Sequence, residues 1–174
     1  MTTGSRICHC DEMRFGLWGQ VRRRWGLKGV KIIQRLQIRF RWSYLVLGVD
    51  VARGTIRWGW SQGMKQRQLV PVLEEWAMDG VVWDGASSHR GKLMGQVGFA
   101  RIFLPAYSPE LNPAERVFEE VRRQVEGQVY PSLEAKRSAI DHLLRQLRSD
   151  QTRLRRLIGW DWLQQATAHL PQAQ

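Results

Sequence analysis

Three acids in this chain stand where packing alone gives no reason for a carboxylate. Asp84 closes the apolar run GVVWD at residues 80–84. Asp11 lies in HCDEMRFGL, a segment that alternates loosely like a strand. Glu115 follows SPELNPA, just inside an amphipathic run. Carboxylates drawn from three distant segments make an all-oxygen donor set, which suits hard divalent cations. Two such ions can activate a water and stabilise the leaving oxygen of a phosphodiester. The chemistry these residue types suggest is therefore metal-assisted phosphodiester cleavage.

Each acid also has a purely structural reading. Glu115 falls three residues after Asn112, where a capping-box glutamate reaches back to the cap amide. Asp84 could cap the segment that follows it. Asp11 and Glu12 could be a solvated strand end, and alternation sends the two to opposite faces, so only one of them can share a site with Asp84. Asp50, at the end of the apolar run WSYLVLGVD, is an alternative first acid.

The elements that would position these residues follow from pattern. Residues 5–18 read as an extended pair of segments around Asp11 and Glu12, with Phe15 and Leu17 on one face. Residues 19–31 read as a loop or irregular strand anchored by Trp18 and Trp25. WSYLVLGVD (42–50) and TIRWGW (55–60) form a hairpin about Ala52, Arg53 and Gly54. Leu69, Val72, Leu73 and Trp76 have helical spacing over 65–78, with Pro71 expected in the first turn or at a kink. Short strands follow at 80–84 and 100–104, with a short polar helix or loop over 87–98.

Pro105 and Pro109 stiffen the approach to the next helix. Asn112 is its N-cap and Pro113 its first residue. Ala114, Val117, Phe118, Val121 and Val125 keep helical spacing to about residue 126. Ser132 caps a run bearing Ile140, Leu143, Leu144 and Leu147, and a last run holds Leu154, Leu157, Ile158, Trp160 and Leu163. Short strands flanked by helices predict an α/β fold with a mixed sheet.

The chain has 174 residues, 43% hydrophobic and 25% charged, which fits one folded domain rather than a disordered segment. Its 27 basic residues outnumber 16 acidic ones, for a net charge of +11. The excess is clustered at Arg22, Arg23, Arg24 and Lys28; at Arg35, Arg39 and Arg41; at Arg122 and Arg123; at Arg145 and Arg148; and at Arg153, Arg155 and Arg156. Such a surplus, mostly arginine, argues for a polyanionic partner, most simply nucleic acid. No long apolar run is free of charge, so no membrane span is expected. MTTGSRICHCDE lacks the apolar core of a secretory signal. Cys8 and Cys10 are too close for an ordinary bridge, and a zinc site built on Cys8, His9 and Cys10 lacks a second ligand pair. Small packed thiols in a reducing cytoplasm fit them better.

Taken in order, DEMRFGL, WDGASSHR and LPAYSPELNPAERVFEEV resemble the three active-site blocks of mariner-type transposases of bacterial insertion sequences, in the DDE endonuclease superfamily. SPELNPAE followed by an amphipathic helix is the most specific of the three. The resemblance runs from about residue 5 to 126 and continues into a helical tail. His9 and Cys10 depart from it, since family members often carry apolar residues there.

The resemblance implies a ribonuclease-H-like fold, with a catalytic domain over 1–130 and a helical extension over 131–174 packed on the same domain. It implies Asp11, Asp84 and Glu115 as catalytic, metal-binding residues, with 30 residues between the last two. It implies two Mg²⁺ ions, or Mn²⁺, and DNA as partner, both transposon ends and target. A homodimer on DNA and a bacterial, nucleoid-associated cytoplasmic location go with it. His89 would orient a carboxylate, touch the scissile phosphate, or simply pack in its loop. The helix-turn-helix region that family members carry at the N-terminus is not expected here; a separate N-terminal half would then supply it. A non-catalytic DNA-binding remnant and a ribonuclease-H-like nuclease of host function are the alternatives.

Overall fold

The computed structural model describes residues 5–19, 23 and 25–168, with side chains as far as residue 166. The expectations for Arg22, Arg24 and the last residues of the tail lie outside these. Residues 5–18 hold one long strand, β1 (Ile7–Trp18), rather than a pair of segments. It continues as one strand because both faces of its first half are covered. Its partners are β2 (Ile38–Asp50), antiparallel to it, and β4 (Gly80–Trp83), parallel to it. The hairpin forms as expected, with β3 (Thr55–Ser61) on β2; a short helix, α2 (Ser87–Arg90), follows β4, and β5 (Ala100–Phe103) runs parallel to β4. The sheet is mixed, in the order β3-β2-β1-β4-β5.

Alternation sorts the side chains of β1 and β2 onto two faces. Met13, Phe15 and Leu17, with Leu45, Leu47 and Val49, join the larger core. Its other half comes from α3 (Ala114–Val125), α4 (Leu133–Ser149), α5 (Gln151–Ile158) and α6 (Asp161–Ala168). The expected last helical run is thus two helices, broken at Gly159 and Trp160. Cys8, Cys10 and Val46, with Val81 and Trp83, face the smaller core beneath α1 (Gln66–Glu74). There Gly59 lets the helix lie close, since a Cβ would come 2.4 Å from Val72 Cγ1.

Two expectations fail locally. The helix expected over 65–78 stops at Glu74, with Pro71 inside it rather than in its first turn. Leu69 and Leu73, fully buried on either side of Pro71, hold the helix through a residue that would otherwise break it. Trp18 and Trp25 do not anchor the segment after β1: Trp25 is fully exposed, and Trp18, 39% exposed, has its ring beside Phe40. Ile33 and Phe40 are exposed as well. No helix among the described residues is long and apolar enough to cross a membrane.

Ser132 caps α4 as expected, accepting a hydrogen bond from the Ala135 amide at 3.1 Å. Several clustered arginines already have partners within the fold. Arg123 and Arg153 pair with buried Glu120, and Arg148 lies over the Trp58 ring. Charge on this face is therefore partly spent on joining α3 to α5.

Candidate active site

The pairing of β1 with β4 sets the first two acids. Ile7 lies opposite Gly80, Cys8 opposite Val81 and His9 opposite Val82. Continuing that register brings Asp11 level with Asp84 on neighbouring strands, which in a sheet run about 4.8 Å apart. The third acid arrives from α3. Val117, Phe118 and Val121 press this helix onto the larger core, and Glu115 projects from its first turn, 38% exposed.

Asn112 fixes where that turn begins. Its side-chain oxygen accepts from the Ala114 amide at 3.1 Å, as an N-cap should. Its side-chain amide donates to the Cys10 carbonyl at 2.9 Å. One buried residue thus caps the helix of Glu115 and ties it to the residue before Asp11. The Asn112 amide, which the capping-box alternative would have paired with Glu115, donates to the Pro109 carbonyl at 3.0 Å. Its carboxylate lies instead 3.7 Å from the Arg122 guanidinium.

Asp11, Asp84 and Glu115 line one open cleft of about 560 Å³, with Arg90, Asn112 and the loop over 104–109. Tyr107, in this loop, is fully exposed and holds a φ of 58°. Burial raises the Asp11 carboxyl to about 7; the Glu12 amide, donating at 2.8 Å, opposes this, and the charges of Glu12, Glu115 and Asp84 add to it. Asp50 has a different setting. It is buried at the β2–β3 turn and accepts from the Arg53 amide and guanidinium at 3.0 and 3.1 Å. Its place on β2, one beyond Val49, puts it beside the start of β1, away from the cleft.

Among the described residues, no three His, Cys, Asp or Glu side chains close tightly enough to hold an ion as they stand. The donors nevertheless suit a hard divalent cation, being carboxylates whose mutual repulsion an added positive charge would relieve. A zinc site on Cys8, His9 and Cys10 does not fit. Alternation turns His9 to the face opposite the two cysteines, and burial pushes the Cys8 thiol up to about 12 and Cys10 well above its usual value. Neither thiol gives a ready thiolate.

Glu12 is the residue that pattern alone misses. It faces away from Asp11, as alternation requires, yet its carboxylate is 1% exposed and lies 3.1 Å from His89 Nε2. His89 Nδ1 is 2.5 Å from Asp84 Oδ1, and its ring stacks on Trp83 at 3.7 Å. So both acids of the pair are linked to Asp84, one across the cleft and one through an imidazole. Burial lowers the His89 pKa, but the Glu12 hydrogen bond and the charges of Glu12 and Asp84 outweigh it and leave the pKa raised.

Solved structures with the same fold include those of Mos1 transposase. The paired-end complex with left transposon end matches with a TM-score of 0.66 at 16% identity over 94% of this chain and 54% of that one. The mariner paired-end complex with Mn gives 0.66 at 16%, over 92% and 53%. The catalytic domain of Mos1 mariner transposase gives 0.60 at 16%, over 88% and 76%. The chain spans about half the length of the full transposase chains it matches. No curated protein matches it in sequence. The fold is ribonuclease-H-like, a mixed five-stranded sheet between helices. A family model described as DDE superfamily endonuclease matches residues 6–135, so by sequence as well as by fold the chain belongs to the DDE superfamily endonucleases.

Proposed function

We propose that this chain is the catalytic domain of a DDE transposase, cutting DNA at an element's ends and joining them to a target. The observation that carries the reading is the meeting of Asp11, Asp84 and Glu115 at one cleft from β1, the end of β4 and the start of α3. These three would hold two Mg²⁺ ions, or Mn²⁺ in their place. When bound, the metals supply activation of a water, and later of a 3′-hydroxyl, together with stabilisation of the leaving oxygen. The chain's own part is to position. Asn112 fixes Glu115 against β1, the β1–β4 register fixes Asp11 beside Asp84, and Arg90 places a positive charge at the cleft.

DNA is the partner that the net charge of +11 supports, and the Mos1 complexes with a transposon end agree with it. Arginine contacts to phosphates would give affinity without sequence reading. End recognition would then fall to a separate DNA-binding region, in the same polypeptide or in trans, and two copies would act together on paired ends. Residues 1–130 would form the catalytic unit and 131–174 its helical extension, working at the DNA of a bacterial nucleoid.

The test is a plasmid nicking assay with Mg²⁺ or Mn²⁺. Glu115→Gln should abolish nicking and leave salt-dependent DNA binding intact. Undiminished nicking by that variant overturns the assignment. Preferred cleavage of an RNA–DNA hybrid would move the reading to a host nuclease of the same fold.

A further inference from the structure

A carboxylate buried without a function should have been replaced by something apolar. Glu12 is such a group: its side chain is 1% exposed and projects from the face of β1 that carries the smaller core. Taking an ionised carboxylate out of water costs several kcal/mol unless partners compensate. Among the described residues, His89 Nε2 compensates Glu12 at 3.1 Å from Oε2, and the other oxygen, Oε1, is buried with no hydrogen-bond partner. The fold therefore keeps a carboxylate at a place where packing would favour an apolar side chain.

His89 cannot turn away from this contact. It is itself 1% exposed, and its ring lies flat on Trp83 at 19°. In that plane its two nitrogens reach two different acids, Nε2 to Glu12 and Nδ1 to Asp84. Asp84, by contrast, is 58% exposed at the end of a strand, where its side chain has room to rotate. Both donors that reach it take the same oxygen: His89 Nδ1 at 2.5 Å and the Ala86 amide at 3.2 Å bind Oδ1. Oδ2 is left for a cation.

We infer that Glu12 and His89 are positioning residues that clamp Asp84 through Oδ1 and present Oδ2 to a divalent cation in the cleft. Glu12 holds the ring, and the ring holds the ligand. The inference rests on the assignment of Asp84 as a metal ligand. Outer partners of this kind raise metal affinity by about 10- to 100-fold. An adjacent acid pair in β1 thus serves one site twice, with Asp11 inside the cleft and Glu12 behind it.

The test is Mn²⁺ binding by the full chain at one fixed pH, read from the loss of the free-ion paramagnetic resonance signal, with circular dichroism to check folding. Asp84→Asn should lose binding. Glu12→Gln, nearly the same shape, and His89→Gln should stay folded and each weaken Mn²⁺ by about tenfold or more. The double variant should be no weaker than His89→Gln alone, because Glu12 acts only through the ring. If both single variants bind Mn²⁺ like the parent while Asp84→Asn does not, the clamp is wrong and the metal site stands. If Asp84→Asn binds like the parent, the metal assignment itself fails. Additive losses in the double variant would mean that Glu12 acts only as a distant charge, which also overturns the clamp. Should Glu12→Gln not fold, His89→Gln reads the same contact from its other end; if neither folds, the pair is structural and the inference falls.

Discussion

Asp11 and Glu12 are neighbours in one strand, yet the two faces of the sheet treat them in opposite ways. On the α3 face, Asp11 meets Asp84 and Glu115 across an open cleft, and burial together with their charge raises its carboxyl to about 7. On the α1 face, the Glu12 side chain is buried and answered by the imidazole of His89, which is itself stacked on Trp83. One face gathers three acids and balances them only in part, with Arg122 beside Glu115 and His89 on Asp84. The other balances its charge from within the chain. The contrast teaches that a carboxylate's role follows from which partner the fold supplies, not from its residue type.

The sharpest way to break this comparison is to remove each acid in turn. Asp11→Asn should lower metal-dependent nicking by about a thousandfold or more, since it deletes a proposed ligand. The same change should leave the metal-free protein at pH 8 as stable as the parent or more so, by on the order of 1–2 kcal/mol, because it removes repulsion. Glu12→Ala should do the reverse to the fold. It leaves His89 buried without its partner and opens a hole, for a loss of about 2–4 kcal/mol by urea unfolding. If both variants shift stability in the same direction, the two faces are not the opposites described.

A second prediction sharpens the link between the faces and α3. Asn112→Ala removes a cap and a buried bond to the Cys10 carbonyl, and should cost about 2 kcal/mol. Nicking should fall further than that loss of folded protein explains, because the helix that aims Glu115 is released. Equal loss of stability and activity would make Asn112 a cap and nothing more.

The smallest effect is in pH. A carboxyl raised on folding favours the folded state at pH below its ordinary value near 4, and that contribution is lost as pH rises through about 7. Metal-free protein should therefore weaken by roughly 1–2 kcal/mol between pH 5 and 8, in proportion to the Asp11 shift. His89, raised as well, acts in the same sense over the upper part of that window. Mn²⁺ should remove most of the slope by binding the ionised cleft, and Asp11→Asn should flatten it without metal. Urea midpoints at pH 5, 6.5 and 8 decide this.

Much of the positioning frame could be read from the sequence, because it rests on local chemistry. The hairpin about Arg53, the apolar strand before Asp84, and the helix starts at Asn112 and Ser132 each depend on a few adjacent residues. The DDE membership could be read for a similar reason, since prolines, a cap and an acid at fixed spacing make a recognisable block. What escaped depends on distant contacts. Pro71 is tolerated inside α1 because Leu69 and Leu73 are held by the sheet. The burial of Glu12 follows from a histidine 77 residues away. Trp25 reads as an anchor by composition, yet nothing folds over it.

The hydrogen bond from Asn112 to the Cys10 carbonyl spans 102 positions of sequence. On the ribosome, where synthesis runs at about 5–20 residues per second, β1 and the hairpin emerge several seconds before α3. During that interval the chain displays its basic surface but has no third acid. The cleft lined by Asp11, Asp84 and Glu115 is therefore complete only once α3 has closed on β1.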